Sequence, residues 1–182
     1  SRKSRGLGDV YKRQMENRPE FLACWIGITQ AGGTVALINT NLSGQPLDYS
    51  LGISQASNLI LGSELSVNFS TTTDETKSNF NTWIQGDYNE SNYFEDLDKC
   101  LDDLSVDKPE VDYKITNDDD ALYIYTSGTT GKPKGVIRDH NGYYYLSAIT
   151  SIELKIKKSD RALLVMPLFH ANSFNFFCAY IF

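Results

Sequence analysis

The sequence predicts an α/β fold, a mainly parallel sheet flanked by helices, and three observations predict it. Residues 35–38 and 58–61 are short, continuous apolar runs, as in strands buried on both faces. Segments with helix-start signals and helical apolar spacing alternate with them. A third apolar run, residues 121–125, leads into a loop rich in glycine, hydroxyls and lysine. The chain has 182 residues, 41% hydrophobic and 22% charged, which suits one domain with a core.

The elements follow in order. Asn17 can cap a helix, Pro19 suits its first turn and Glu20 stands three residues after the cap. Phe21, Leu22, Trp25 and Ile28 then fall on one face, and Gly32 and Gly33 end the helix. Residues 35–38 are the next strand, about 46–56 a second helix, and 58–62 a second buried strand. Residues 66–118 read as a surface excursion. The part from 66 to 92 is rich in Ser, Thr and Asn, and is expected to be mobile and to tolerate deletion. Residues 93–104 can form one acidic helix, with Phe94, Leu97, Leu101 and Leu104 in line. Residues 121–125 form a strand feeding the loop, and 135–137 continue it. A helix is expected over 141–153, in which Tyr143, Tyr144 and Tyr145 serve packing. Asp160 precedes a strand over 162–166, and 167–170 turn out of it into a final apolar helix. That helix runs to the last residue with an unpartnered apolar face, which reads as a truncated edge.

Composition excludes several functions. The net charge of -6 argues against a nucleic-acid binder. No apolar run reaches the ~18 residues of a membrane helix. Cys24, Cys100 and Cys178 are odd in number, widely spaced and outside any metal-ligand pattern, so they read as buried thiols of a reducing compartment. Charge is uneven: residues 1–14 carry five basic side chains and one acid, and residues 66–120 carry fifteen acids and four lysines. The acidic stretch reads as a solvated face.

The chemistry concentrates in Tyr125-Thr126-Ser127-Gly128-Thr129-Thr130-Gly131-Lys132-Pro133-Lys134-Gly135. Glycines allow close backbone approach, and backbone N–H, hydroxyl and ammonium groups are all donors. A loop of donors without a carboxylate suits a polyanion such as a triphosphate. It is not a P-loop, because Thr126 and Pro133 stand where that motif needs Gly and Ser or Thr. The string closely resembles the phosphate-binding loop of the adenylate-forming (AMP-binding) enzymes.

Two further segments strengthen the resemblance. Met15-Glu16-Asn17-Arg18-Pro19-Glu20-Phe21, with Ala36-Leu37-Ile38-Asn39-Thr40-Asn41-Leu42, resembles the fatty acid transport protein and very-long-chain acyl-CoA synthetase branch. Met166-Pro167-Leu168-Phe169-His170 with Asn172 is similar to the motif bordering the acyl pocket. There Phe169-His170-Ala171-Asn172 departs from the branch's Tyr-His-Ser and is closer to bacterial-type ligases, which leaves chain length open.

The resemblance implies that residues 15–182 are part of the large N-terminal domain of an adenylate-forming enzyme, truncated at both ends. It also implies a buried strand just before Met15. Lys12 and Arg13 are expensive to bury unpaired, so residues 1–14 read as a non-native or disordered basic segment. The implied reaction joins a fatty acid to ATP, giving acyl-AMP and pyrophosphate; CoA then displaces AMP. Thr126, Ser127, Thr129 and Thr130 would donate to β- and γ-phosphate oxygens. Gly128 and Gly131 would allow close approach, and Lys132 and Lys134 would neutralise pyrophosphate. His170 and Asn172 would border the acyl pocket, His170 as a gate or wall, with a packed strand-end histidine as the alternative. ATP with Mg²⁺ and CoA are the implied cofactor and co-substrate, the Mg²⁺ ligand being expected beyond residue 182. Without it the chain alone is expected to be inactive. The implied location is cytoplasmic or peripheral to a membrane. An adenylation domain for another carboxylic acid, or a non-catalytic nucleotide-binding module, are the competing readings.

Overall fold

The computed structural model describes residues 10–53, 56–88, 93–107, 110, 114–127 and 133–181. Its centre is a seven-stranded sheet in the order β5-β4-β3-β1-β2-β6-β7. These strands are β1 (Val10–Gln14), β2 (Thr34–Leu37), β3 (Asn58–Gly62), β4 (Asn81–Gln85), β5 (Glu95–Asp96), β6 (Asp120–Ser127) and β7 (Pro133–Asp139). The first six run parallel, and β7 returns antiparallel along β6. Parallel strands need crossovers, which here are mostly helical: α1 (Pro19–Gln30) joins β1 to β2, and α2 (Gly44–Ile53) joins β2 to β3.

Alternation along the strands splits the core between two faces. Val35, Leu37, Ile60, Leu122 and Ile124 pack on one face against Phe21 and Trp25 of α1. Leu168 and the Phe174, Phe177 and Cys178 side chains of α7 (Ala171–Ile181) complete that layer. Leu59 and Leu61 point to the other face, against Leu47 and Leu51 of α2 and Phe69 of α3 (Ser66–Ser70). The chain reverses direction at Gly32, whose φ of 81° suits glycine, with Gly33 N–H donating to the Ile28 carbonyl at 2.8 Å.

Four sequence expectations are corrected. Residues 10–14 are not outside the fold: β1 lies between β2 and β3, with Lys12 and Arg13 each 1% exposed. Backbone pairing on both sides holds the strand. Lys12 Nζ donates to the Leu51 and Ala56 carbonyls, and Arg13 Nη1 to the Phe21 carbonyl. Each cation also lies over a ring, Lys12 over Phe80 at 4.1 Å and Arg13 over Phe21 at 3.4 Å. Residues 1–9 lie outside the described residues.

The stretch from 66 to 85 is no excursion. Phe69 and Ile84 are buried, and β4 is an interior strand, so deleting 66–92 would remove a sheet member. The acidic helix expected over 93–104 shrinks to α5 (Leu97–Asp102) behind the two-residue β5, and Leu101 and Leu104 are exposed. Residues 162–166 form no strand. They pair with none of the seven strands, and Leu163 and Val165 are left exposed. Lesser differences follow: Asn17 is not the cap of α1, whose cap residue Arg18 makes no side-chain capping bond. Cys100 is exposed rather than buried.

Among the described residues no helix is long and apolar enough to cross a membrane.

Candidate phosphate and acyl-side site

In parallel α/β sheets ligands gather outside the carboxyl ends of the strands. Here that edge carries the loops after β1, β2, β3, β4 and β6. The candidate phosphate loop lies between β6 and β7. Among its proposed residues, Thr126 and Lys134 face each other across the antiparallel ladder, and Ser127 pairs with Pro133. Gly128, Thr129, Thr130, Gly131 and Lys132 lie outside the described residues.

Strand alternation fixes which way the hairpin mouth points. Leu122 and Ile124 belong to the face packed on α1 and α7, so Thr126, two residues on, shares that face. Lys134, its cross-strand partner, does so too. Both side chains are exposed, and an exposed ammonium beside a hydroxyl suits phosphate oxygens. Tyr125 points the other way, and its ring would lie 3.4 Å from a Cβ added at Gly135.

The turn carrying His170 sits on the same face. Leu168 is 3% exposed within the α1–α7 layer. His170 N–H donates to the Pro167 carbonyl at 3.0 Å, and Phe174 N–H donates to the His170 carbonyl at 3.0 Å. His170 therefore stands at the entry to α7, exposed, with Asn172 exposed in the first turn. The gate or wall position remains open to it, and the buried, packed alternative does not fit its exposure.

The other histidine is local. His140 opens α6 (His140–Glu153), its Nδ1 3.1 Å from the Tyr143 hydroxyl. Burial lowers its pKa, against the opposing pull of Asp119 and Asp139. Among the described residues no group of three or more His, Cys, Asp or Glu could hold a metal ion. The acid-rich cavity of about 360 Å³ lined by Asp87, Asp96, Asp98 and Asp102 lies at the β4–β5 end of the sheet, away from the hairpin.

Sequence reasoning missed the support beneath this edge. Arg18 Nη1 lies 3.0 Å from Glu64 Oε2, and Glu16 N–H donates to Glu64 Oε1 at 2.9 Å. These contacts tie the loops after β1 and β3. Spacing in the sequence carries no signal for them.

Residues 8–182 match the family described as AMP-binding enzyme. The chain belongs to the AMP-binding enzyme family. It is 35% identical over 167 residues to long-chain fatty acid transport protein 1 of Bos taurus, covering 90% of this chain and 26% of that protein. Against the Homo sapiens protein of the same name the identity is 34%, again over 90% and 26%. Among solved structures, the inhibitor-bound N-terminal domain of FACL13 from Mycobacterium tuberculosis superposes with a TM-score of 0.74 at 27% identity. That match covers 96% of this chain and 42% of the other. The o-succinylbenzoate CoA synthetase of Bacillus subtilis, bound with a product analogue, gives 0.75 at 26% identity over 96% and 32%. This AMP-binding chain thus spans about a quarter of the length of the transport proteins it matches. Its seven-stranded sheet corresponds to part of the N-terminal domain of adenylate-forming enzymes.

Proposed function

We propose that this AMP-binding chain supplies the phosphate-holding and acyl-side edge of an ATP-dependent fatty acid–CoA ligase. The single observation that carries the reading is the β6–β7 hairpin, with exposed Thr126 and Lys134 paired at its mouth on the face shared with the His170 turn. A carboxylate is a poor electrophile, so it must first be activated as acyl-AMP. The enzyme's task is to position the carboxylate and to stabilise charge growing on the leaving pyrophosphate. Thr126, Ser127, Thr129 and Thr130 donate to its oxygens, Gly128 and Gly131 admit the chain closely, and Lys132 and Lys134 neutralise it. His170 and Asn172 border the acyl chain. Long-chain fatty acid transport proteins among the relatives favour a fatty acid as the acid. CoA is the proposed acceptor, and Mg²⁺ accompanies ATP. The protein ligand of that ion is expected outside the described residues, as the family resemblance implies. A site cytoplasmic or peripheral to a membrane fits a soluble nucleotide and an amphiphilic acid.

The chain alone is expected to make no acyl-adenylate, because orientation of the attacking carboxylate supplies much of the rate and this chain carries one edge of the site. Hydroxamate trapping with ATP and fatty acid, run beside a Thr130/Lys134 double variant, checks this. Equal backgrounds are predicted. Turnover above the double variant would place the whole catalytic set within these residues.

A further inference from the structure

We propose that Asn17 is a positioning residue whose side-chain amide holds the 166–170 turn, and with it His170, against the carboxyl edge of the sheet. Its Oδ1 accepts from Leu168 N–H at 2.7 Å, and its Nδ2 donates to the Met166 carbonyl at 2.9 Å. One planar amide thus bridges two residues on either side of Pro167, as a neighbouring strand would, across about 150 residues of sequence. Pro167 has no N–H, so the turn itself offers fewer internal bonds. Ser173 Oγ also donates to the Met166 carbonyl, at 2.8 Å, which ties the same anchor to the first turn of α7.

The frame on which Asn17 sits gives the clamp its reach. Asn17 lies three residues beyond β1, and β1 is separated from β6 only by β2. At ~4.8 Å per strand, the clamp stands roughly 10 Å along the edge from the phosphate hairpin. The buried Leu168 and the Trp25–Phe174 contact, with ring centroids 4.6 Å apart, seal the turn and α7 onto α1 below. His170 follows two residues after the clamped Leu168 N–H, so its backbone position is set from the sheet. The role rests on the ligase reading above, in which His170 borders the acyl chain. Helix capping, the role the sequence suggested for Asn17, is absent.

The test uses the 182-residue chain with three readouts. They are amide exchange at Leu168 and in β3, binding of ATP, and binding of a dodecanoyl sulfamoyl-adenosine, a stable acyl-adenylate mimic. For Asn17→Ala, Leu168 exchange should quicken at least tenfold with β3 unchanged. Affinity for the mimic should fall at least fivefold while ATP binding changes less than twofold. Asn17→Asp keeps an acceptor for Leu168 N–H but loses the donor, so Leu168 should stay more protected than in Asn17→Ala. Unchanged Leu168 exchange overturns the clamp alone. Equal losses for ATP and the mimic would mark general loosening and overturn the positioning role. Wild-type chain that binds neither ligand while Leu168 stays protected would overturn the ligase reading, and the role with it.

Discussion

Trp25→Ala is expected to destabilise the chain by about 3–5 kcal/mol, the range for truncating a large buried aromatic. Trp25 is 2% exposed and meets two rings edge-on, Phe174 at 4.6 Å and Tyr143 at 5.4 Å between centroids. It is thus the point where α1, α6 and α7 meet, and its removal leaves a cavity beneath the turn that carries His170. Its Nε1 is buried without a hydrogen-bond partner among the described residues. Trp25→Phe keeps an aromatic contact and removes that orphaned donor, so it should cost much less than Trp25→Ala. Urea unfolding of both variants checks the pair. Equal losses would mean that packing against Phe174 and Tyr143 contributes little.

The second large effect has the opposite sign. Lys12→Met with Arg13→Leu is expected to stabilise the chain by roughly 1–4 kcal/mol, as apolar replacement of buried charges often does. Neither cation has a carboxylate partner among the described residues. Two nitrogens of Arg13, Nε and Nη2, also lack a hydrogen-bond partner there. Burial pushes Lys12 down to about 8 and Arg13 down to about 9. The unfolded chain therefore binds more protons than the folded chain above pH 8, and stability should rise with pH there. The Cys178 thiol and the Tyr143 phenol, each pushed up to about 12 by burial, oppose this at higher pH, once their unfolded counterparts ionise near 9 and 10. The comparison is made between pH 8 and 9, where the Cys24 and Cys178 thiols, both raised by burial, already pull stability down as their unfolded forms begin to ionise. Urea midpoints there should change more favourably with pH for the wild type than for the double variant. Equal slopes would mean that the two cations are solvated.

Much of the sheet was legible because local sequence dictated it. Residues 58–62 form β3 with the expected bounds, and 121–125 lie within β6. Such runs have one comfortable environment, between two layers. Elements that depend on tertiary pairing were not legible. Lys12 and Arg13 argued against a strand, yet pairing on both sides places one there. Asn81-Thr82-Trp83-Ile84-Gln85 is mostly polar, and its strand is settled by β3 and β5 beside it. Conversely, Ala162 to Met166 looks like a strand but pairs with none of the seven strands. In the site, the family string located the hairpin, whereas the pairing of Thr126 with Lys134 and the Asn17 clamp required three-dimensional register.

The central claim is that the 125–135 hairpin holds the terminal phosphates of ATP. The direct measurement is the affinity of the chain for ATP against AMP, by equilibrium dialysis, in wild type and Lys134→Ala. ATP binding by one edge of a site should be weak but at least tenfold tighter than AMP. A hydrogen bond to a charged group contributes about 1.5–3 kcal/mol, so removing Lys134 should weaken ATP about tenfold or more and leave AMP unchanged. Equal affinity for ATP and AMP, with Lys134→Ala indistinguishable from wild type, would contradict the account.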